Sequence, residues 1–215
     1  MPIFNIKLEI MKKLKLLIAI IGLSFAAITV KAQAFAEGTK VVSLGYGFPN
    51  LGKTVLKVFD DEVGYKATGF GPIHARFEYG LTDKFGLGAS VNFNTYGAEY
   101  NSTSSVWNGS SYQTITYKET FKATSISILV RFNKHWDLND QVDVFSGIGV
   151  GYKYSGFKST TDNPTGTQSL TISNPIPVGF EWTWGMRYFF TENIGAYIEL
   201  GLAKSILQAG VTAKF

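Results

Sequence analysis

Hydrophobic and polar residues alternate along most of the chain after residue 40. In the last segment the two faces are Leu207, Ala209, Val211, Ala213 and Phe215 on one side and Gln208, Gly210, Thr212 and Lys214 on the other. Successive side chains of a β-strand point to opposite faces, so this period of two predicts a strand. The same pattern recurs at 40–48, 73–81, 85–93, 125–132, 142–154, 178–190 and 194–202. The sequence therefore predicts an all-β protein with eight strands and no helix of useful length.

The connections between these strands are predicted to alternate in length. The long loops are at 49–69, 96–116 and 155–175, and the shorter turns are at 82–84, 133–141 and 191–193, while the last hairpin closes tightly near 203–205. Long connections at one end and short ones at the other are typical of an antiparallel up-and-down barrel that crosses a membrane. We expect residues 35–215 to form this transmembrane β-barrel.

The character of the two faces decides which one points outward. The apolar face carries large rings, namely Phe77, Tyr79, Phe93, Phe180, Trp182 and Trp184, whereas the opposite face is rich in glycine. An eight-stranded barrel has an interior only just wide enough for its own side chains, so the small residues suit the interior. We predict that the rings face lipid. The alternative is a soluble lipocalin-type carrier, in which the apolar face would line a cavity.

The glycine-rich face also carries charges of both signs. They are Arg76, Arg131, Lys153, Arg187 and Lys214 against Glu78, Asp143, Glu181 and Glu199. Buried charges persist when they are paired and hydrogen-bonded. The near balance therefore predicts a network of salt bridges that plugs the barrel interior.

Residues 1–32 are predicted to be a cleavable secretory signal peptide. Lys12, Lys13 and Lys15 precede an apolar run over 16–30, and cleavage after Ala32 or Ala34 satisfies the small-residue pattern. The alternative is a membrane anchor, but the run is shorter than the ~20 residues that a spanning helix needs. Met11 begins a complete signal by itself, so residue 11 is an alternative start.

The charge of the chain lies mainly in this leader. Of 20 basic and 16 acidic residues, five lysines and one glutamate fall within 1–32, which leaves 15 of each sign in the remainder. A neutral body argues against nucleic-acid binding. The chain has no cysteine, which excludes disulfides and thiolate metal sites. We expect no cofactor, no metal and no nucleic-acid partner.

With these features the chain resembles small outer-membrane β-barrel proteins of the OmpA/OmpX type. It is most similar to the "outer membrane protein beta-barrel domain" or porin-like proteins of Bacteroidetes-type Gram-negative bacteria. The resemblance implies a location in the outer membrane and contact with its lipids and lipopolysaccharide. It also implies that the barrel-assembly machinery reads the last strand, here Leu207, Ala209, Val211, Ala213 and Phe215.

We interpret the protein as a monomeric, plugged barrel that acts as a structural or surface scaffold, with its loops exposed. One alternative is a narrow porin-like or OmpW-like conduit for small or apolar solutes. Another is a lipid-modifying outer-membrane enzyme, for which His74 on the inward face of its strand is the candidate base. We favour a protein that is not an enzyme and has no catalytic residue, because no matched nucleophile, base and orienting group is apparent.

Two further motifs resemble chemical sites. Residues 47–54 match the phosphate-binding pattern G-x-x-x-x-G-K-[ST], but the chain shows none of the βαβ units that a P-loop needs. An external loop is therefore predicted there. The cluster Asp60-Asp61-Glu62 is a candidate cation site, and a solvated acidic turn is the interpretation we favour.

Overall fold

The computed structural model describes residues 34–59, 64–163, 169–173 and 177–215. Contacts divide the chain into one unit of Gln33–Lys214 and another of Met1–Ala32 with Phe215. The predicted signal peptide and the acidic cluster Asp60-Asp61-Glu62 lie outside the described residues, so both stay predictions.

Nine strands and one short helix make up the described part of the Gln33–Lys214 unit. The strands are β1 (Lys40–Phe48), β2 (Lys66–Gly80), β3 (Phe85–Trp107), β4 (Tyr112–Asn139), β5 (Val142–Thr161), β6 (Ser169–Ser173), β7 (Val178–Phe189), β8 (Ile194–Leu202) and β9 (Leu207–Lys214). The helix α1 (Leu51–Leu56) continues into a 3₁₀ turn at Lys57–Phe59. The described residues contain no helix that is long and apolar enough to span a membrane.

Eight of the strands close into a ring. In the order β1, β2, β3, β4, β5, β7, β8 and β9, each pairs antiparallel with the next, and β9 pairs back onto β1. The short strand β6 pairs with the end of β5 and extends that hairpin. The predicted eight-stranded up-and-down barrel is therefore confirmed, with one additional strand in a connection.

Burial alternates along the strands as the sequence pattern predicts. In β7 every second residue is buried: Glu181 and Thr183 are 1% and 0% exposed, whereas Trp182 and Trp184 are 44% and 52% exposed. The barrel therefore has an apolar exterior and a polar, filled interior. This orientation confirms that the rings point outward and contradicts the soluble-carrier alternative.

Strands β3 and β4 are longer than the sequence pattern predicted. Residues 96–116, predicted to be a loop, continue the two strands as a paired ribbon with a turn near Gly109, whose φ is +97°. Within the described residues, positions 100–107 of the ribbon have no pairing partner in β2, and positions 112–118 have none in β5. Neither face of such a ribbon packs against a core. It therefore needs no apolar alternation, and its sequence looked like a loop.

The turn predicted at 133–141 is also shorter in the structure. Strand β4 continues to Asn139 and β5 begins at Val142, so that Asn133 and His135 are strand residues with buried side chains. Asn133 and His135, which suggested a turn, are polar because they face the barrel interior.

Helix α1 lies in the connection between β1 and β2 and packs against β3. Asn50 caps the helix by accepting a hydrogen bond from the Lys53 amide at 3.1 Å. Its Nδ2 also donates to the Thr95 carbonyl at 2.9 Å, which ties the helix start to β3. A methyl group added at Gly52 would overlap the Tyr96 ring, so only glycine allows this close approach.

Candidate functional site

The barrel interior contains the largest cluster of charged side chains in the described residues. Seven of the nine predicted network residues meet there through hydrogen bonds and salt bridges: Arg76, Glu78, Arg131, Asp143, Glu181, Arg187 and Glu199. All seven are buried. They come from β2, β4, β5, β7 and β8, so the cluster joins strands from around the ring.

Arg131 lies at the centre of this network. Its guanidinium donates to Glu181 Oε1 at 2.9 Å and to Thr183 Oγ1 at 2.6 Å, both on β7, and to Glu199 Oε1 on β8 at 3.3 Å. Its Nε donates to Asn133 on its own strand at 2.8 Å. Because the planar guanidinium presents five donors, one arginine can link several acceptors across a narrow lumen.

Glu199 is shared between two arginines. Arg76 donates to Glu199 Oε1 at 2.5 Å through Nη1 and to Gln208 Oε1 at 2.6 Å through Nη2. The same carboxylate oxygen accepts from Arg131. Strands β2, β4, β8 and β9 are therefore held to one another by charge-assisted hydrogen bonds inside the barrel.

A second group of charges lies nearer the short-turn end. Arg187 donates to Asp143 Oδ2 at 3.0 Å and pairs with Glu78 Oε2. His135 lies between the same two acids, with Nδ1 at 2.9 Å from Asp143 Oδ1 and Nε2 at 2.8 Å from Glu78 Oε1. Each acid thus contacts one arginine and the histidine.

The two hydrogen bonds of His135 determine the protonation state of its ring. A carboxylate only accepts hydrogen bonds, so both ring nitrogens must donate and the ring is an imidazolium. The buried charges then balance, with four positive groups (Arg76, Arg131, Arg187 and His135) facing four negative ones (Glu78, Asp143, Glu181 and Glu199). A balanced and hydrogen-bonded set satisfies the condition under which charges remain buried.

Asn133 joins the two groups of charges. Its Oδ1 accepts from Arg131 in the central group, and its Nδ2 donates to Glu78 Oε1 at 2.6 Å in the short-turn group. The whole set is therefore one connected network.

The structure places the two remaining predicted members elsewhere. Lys153 is half-buried on β5, toward the long-loop end. Lys214 lies near the short-turn end, where its Nζ is 3.4 Å from the Ala34 carbonyl oxygen and 4.4 Å from the centre of the Phe189 ring. Both lysines lie on the inward face of the period-two pattern, but strand register decides which charges meet.

Several network residues were not predicted from the sequence. They are uncharged or lay in a segment interpreted as a turn: His135, Asn133, Ser90, Asn92, Thr183 and Gln208. For Asn133 and His135 the sequence does contain a signal. Together with Arg131 they form a run of polar residues at alternate positions on the inward face of β4.

His74 lies in a branch of the network near the long-loop end, which Asn92 joins to Glu181. Asn92 donates through Nδ2 to Glu181 Oε2 at 3.3 Å, so its Oδ1 accepts from His74 Nδ1 at 2.6 Å. The free lone pair of His74 Nε2 then faces Ser205 Oγ at 3.4 Å. This is the order of a nucleophile, a base and an orienting group, but Ser205 is fully buried.

The P-loop-like segment has an antiparallel context. Gly47 belongs to β1, which pairs with β2 and β9 on either side. A methyl group at Gly47 would overlap Ser205, and one at Gly52 would overlap Tyr96. Both glycines of the motif are therefore explained by close packing, and the parallel strand that a P-loop requires is not present here.

The predicted assembly signal lies on the outer face of the closing strand. Val211 is 61% exposed, and Leu207, Ala209 and Ala213 share its face of β9. The fifth residue, Phe215, follows the strand and is half-buried.

A closed antiparallel barrel with an apolar exterior and a polar interior defines the class of integral outer-membrane barrel proteins. The family described as "Outer membrane protein beta-barrel domain" matches residues 18–214. The chain therefore belongs to the outer membrane protein beta-barrel domain family. A comparison with curated proteins found no match.

Several solved structures are similar to this chain. The N-terminal β-barrel domain of Pseudomonas aeruginosa OprF is 15% identical and covers 84% of this chain and 98% of its own, with a TM-score of 0.41. OprG from the same organism is 12% identical, with coverages of 85% and 98% and a TM-score of 0.41. Ail of Yersinia pestis is 11% identical, with coverages of 83% and 99% and a TM-score of 0.36.

Proposed function

We propose that the protein is a plugged outer-membrane barrel that serves as a scaffold and carries its long connections outside the cell. The interior network supports a plug, because its members come from strands around the whole ring and are buried. The long β3–β4 ribbon supports a display role, since outer-membrane barrels place their longer connections outside the cell.

The observation that carries the plug is the position of Arg131. This side chain is 2% exposed, and it reaches from β4 to acceptors on β7 and β8. A side chain that reaches through the interior to strands two and three places away in the ring occupies the cross-section through which a solute would pass. Eight-stranded barrels are filled in this way, whereas open aqueous channels are found in barrels of about sixteen strands.

Planar-bilayer recording tests the plug. The folded protein is expected to give no steady single-channel current, because the charged side chains fill the lumen. Folding is checked beforehand on a gel, where the unboiled barrel runs faster than the heated one. A steady current from the wild-type protein would overturn the plug and favour the narrow conduit.

A paired variant supplies the control. Arg131→Ala combined with Glu181→Ala removes one cation and one anion that contact each other at 2.9 Å, so the interior charge stays balanced. Current that occurs only in this variant, in protein that still shifts on the gel, identifies the network as the plug.

The partners that we propose follow from this location. Outer-membrane lipids, including lipopolysaccharide, would contact the ring-bearing exterior of a monomeric barrel. The barrel-assembly machinery would read the outer face of β9. Val211→Asp places a charge on that face, whereas Thr212→Ala changes the inner one, so the first variant is expected to lower the amount of folded protein in the outer membrane more than the second.

A second candidate function is lipid modification, favoured by the chain Ser205–His74–Asn92. The burial of Ser205 opposes it, since a substrate could reach the hydroxyl only after the β8–β9 turn opens. Comparison of membrane lipids from cells with the wild type, Ser205→Ala and the matched Ser155→Ala decides the matter. A lipid product lost only with Ser205→Ala supports the enzyme, and identical lipid profiles remove it.

A further inference from the structure

Two lysines lie close together at the long-loop end of the barrel, outside the charge network. Lys204 belongs to the turn between β8 and β9, and Lys153 shares the inward face of β5 with Asp143. Both are half-buried. Lys204 reaches Ser125 on β4, and Ser125 pairs with Ser155, two residues from Lys153 on the inward face of β5, so two like charges approach each other where water only partly screens them.

Hydroxyl groups surround this pair. The Nζ of Lys204 donates to Ser125 Oγ at 2.6 Å, and Ser155 Oγ donates to the same oxygen at 3.3 Å. Ser127 lies opposite Lys153 in the register of β4 and β5. Serine hydroxyls can donate to an added acceptor by rotation about the C–O bond.

A buried amide completes the lining. Asn94 lies opposite Ser125 in the register of β3 and β4, is 4% exposed, and has an Oδ1 without a hydrogen-bond partner in the described residues. Buried polar atoms are nearly always satisfied, so the Asn94 amide has hydrogen-bonding capacity left for a further group. Rotation of the amide by 180° would turn its donors toward that group.

The cluster differs from the network in having no acid. In the described part of the chain neither Lys153 nor Lys204 forms a salt bridge. Elsewhere in this barrel, three buried arginines and His135 are matched by four carboxylates. Among the described residues this pair of lysines is therefore a basic cluster that no carboxylate balances.

We propose that Lys153, Lys204 and the serines beside them form a binding site for a small tetrahedral oxyanion, such as sulfate or a phosphate group, at the long-loop mouth of the barrel. The site goes beyond the scaffold function and does not depend on the plug. Two ammonium groups match a dianion in charge, and the hydroxyls supply further donors to its oxygens. A charge-assisted hydrogen bond is roughly twice as strong as a neutral one.

The electrostatics of Lys204 give the site a recognisable pH dependence. Burial, and then the charge of Lys153, lower the pKa of Lys204 to about 7. The other titratable group nearby is His74, which contacts the neighbouring Ser205. Lys204 is charged below pH 7 and loses its proton above it, so an anion binds more tightly at low pH.

Calorimetric titration of the folded barrel in zwitterionic detergent with sodium sulfate tests the site. Sulfate keeps the same charge between pH 6 and pH 9, so any pH dependence comes from the protein. Binding is expected at pH 6 and should be about tenfold weaker at pH 9, the effect of losing one charge-assisted hydrogen bond. A second arm repeats the titration with phosphatidylglycerol in the micelle: competition with sulfate identifies a lipid phosphate as occupant, and its absence identifies a solute.

Substitutions at Lys204 separate charge from structure. Lys204→Arg keeps a charge that does not titrate in this range, so it is expected to bind sulfate equally at both pH values. Lys204→Gln and Lys153→Gln are each expected to weaken binding at pH 6 about tenfold. The matched control is Lys118→Gln, because Lys118 is an exposed lysine already paired with Glu99.

The sulfate affinities of these variants decide whether the site exists. A loss that is confined to Lys153→Gln and Lys204→Gln, with the pH dependence removed by Lys204→Arg, supports the site. Equal affinities in all these variants, or no sulfate binding by the wild type at pH 6, would overturn it. The gel shift of each variant shows whether its barrel is folded.

Discussion

Phe35 stacks on His135 with the ring centres 3.6 Å apart and the ring planes within 8° of parallel. Phe35 precedes the first strand and is fully buried, so the segment before β1 closes the short-turn end of the barrel. The contact places an aromatic face on an imidazolium that two carboxylates hold in place. A cation against a ring face is a favourable arrangement.

Phe35→Ala is expected to destabilise the barrel, because it removes a fully buried ring and opens the imidazolium to water. Truncation of a buried phenylalanine costs about 3 kcal/mol. The free energy of unfolding, from urea titration in lipid vesicles, measures the loss. Phe48→Ala removes a ring that is 68% exposed, and an equal loss in this control would contradict a special role for Phe35.

Glu78→Gln is expected to be more disruptive than any substitution at an exposed acid. Glu78 accepts from His135, Asn133 and Arg187, and removal of one partner from a buried ion pair costs about 3–5 kcal/mol. The same urea titration measures it. Glu99→Gln is the control, since Glu99 pairs with Lys118 in water and its loss should change stability little. Similar effects from the two variants would show that the network does not stabilise the fold.

Gly147→Val tests how tightly the lumen is filled. A methyl group at Gly147 would overlap Asn133 Oδ1 and the guanidinium of Arg131. Overpacking of this kind costs typically about 1–3 kcal/mol. Ala89→Val adds two carbon atoms on the exposed outer face of β3 and should be tolerated. A Gly147→Val barrel as stable as the wild type would show that the interior beside Gly147 contains unfilled space.

Fluorescence quenching by brominated acyl chains tests the orientation of the sheet. A variant that retains Trp184 as its one tryptophan is expected to be strongly quenched, because that ring points outward from β7. A variant that retains only Trp107, on the ribbon beyond the β2 pairing, should be quenched weakly. The reverse order would contradict an exterior bathed in lipid.

The strands and the orientation of their faces could be predicted from the sequence because lipid and lumen impose opposite demands on alternate residues. Trp182 and Glu181 are neighbours in the chain, yet one points to the exterior and the other to the network. This alternation is strong wherever one face is apolar.

The partners within the network could not be predicted, because they depend on strand register and on side-chain length. Arg76 meets Glu199, 123 residues away, and Lys153 meets no acid among the described residues. Both lysine and arginine satisfied the period-two pattern. His135 was not predicted for a different reason. The polar residues that face the interior at the end of β4 resemble the polar residues of a turn.

The ribbon was not predicted from the sequence because neither of its faces packs against an apolar core. Residues 96–116 contain serine, threonine and asparagine without an apolar face, which is the composition of a loop. Cross-strand hydrogen bonds, which leave no trace in hydropathy, hold the ribbon together.

Because β1 pairs with β9, the first strand to be synthesised cannot complete its hydrogen bonding until the last strand is present. Inside the barrel Ser43 Oγ and Thr212 Oγ1 are 2.9 Å apart, although 169 positions separate them in the chain. Until the ribosome has delivered Thr212, β1 has one unpaired edge and the sheet remains an open strip. Contacts of such long sequence separation slow folding, so the chain must be kept from aggregating for the whole interval before β1 and β9 meet.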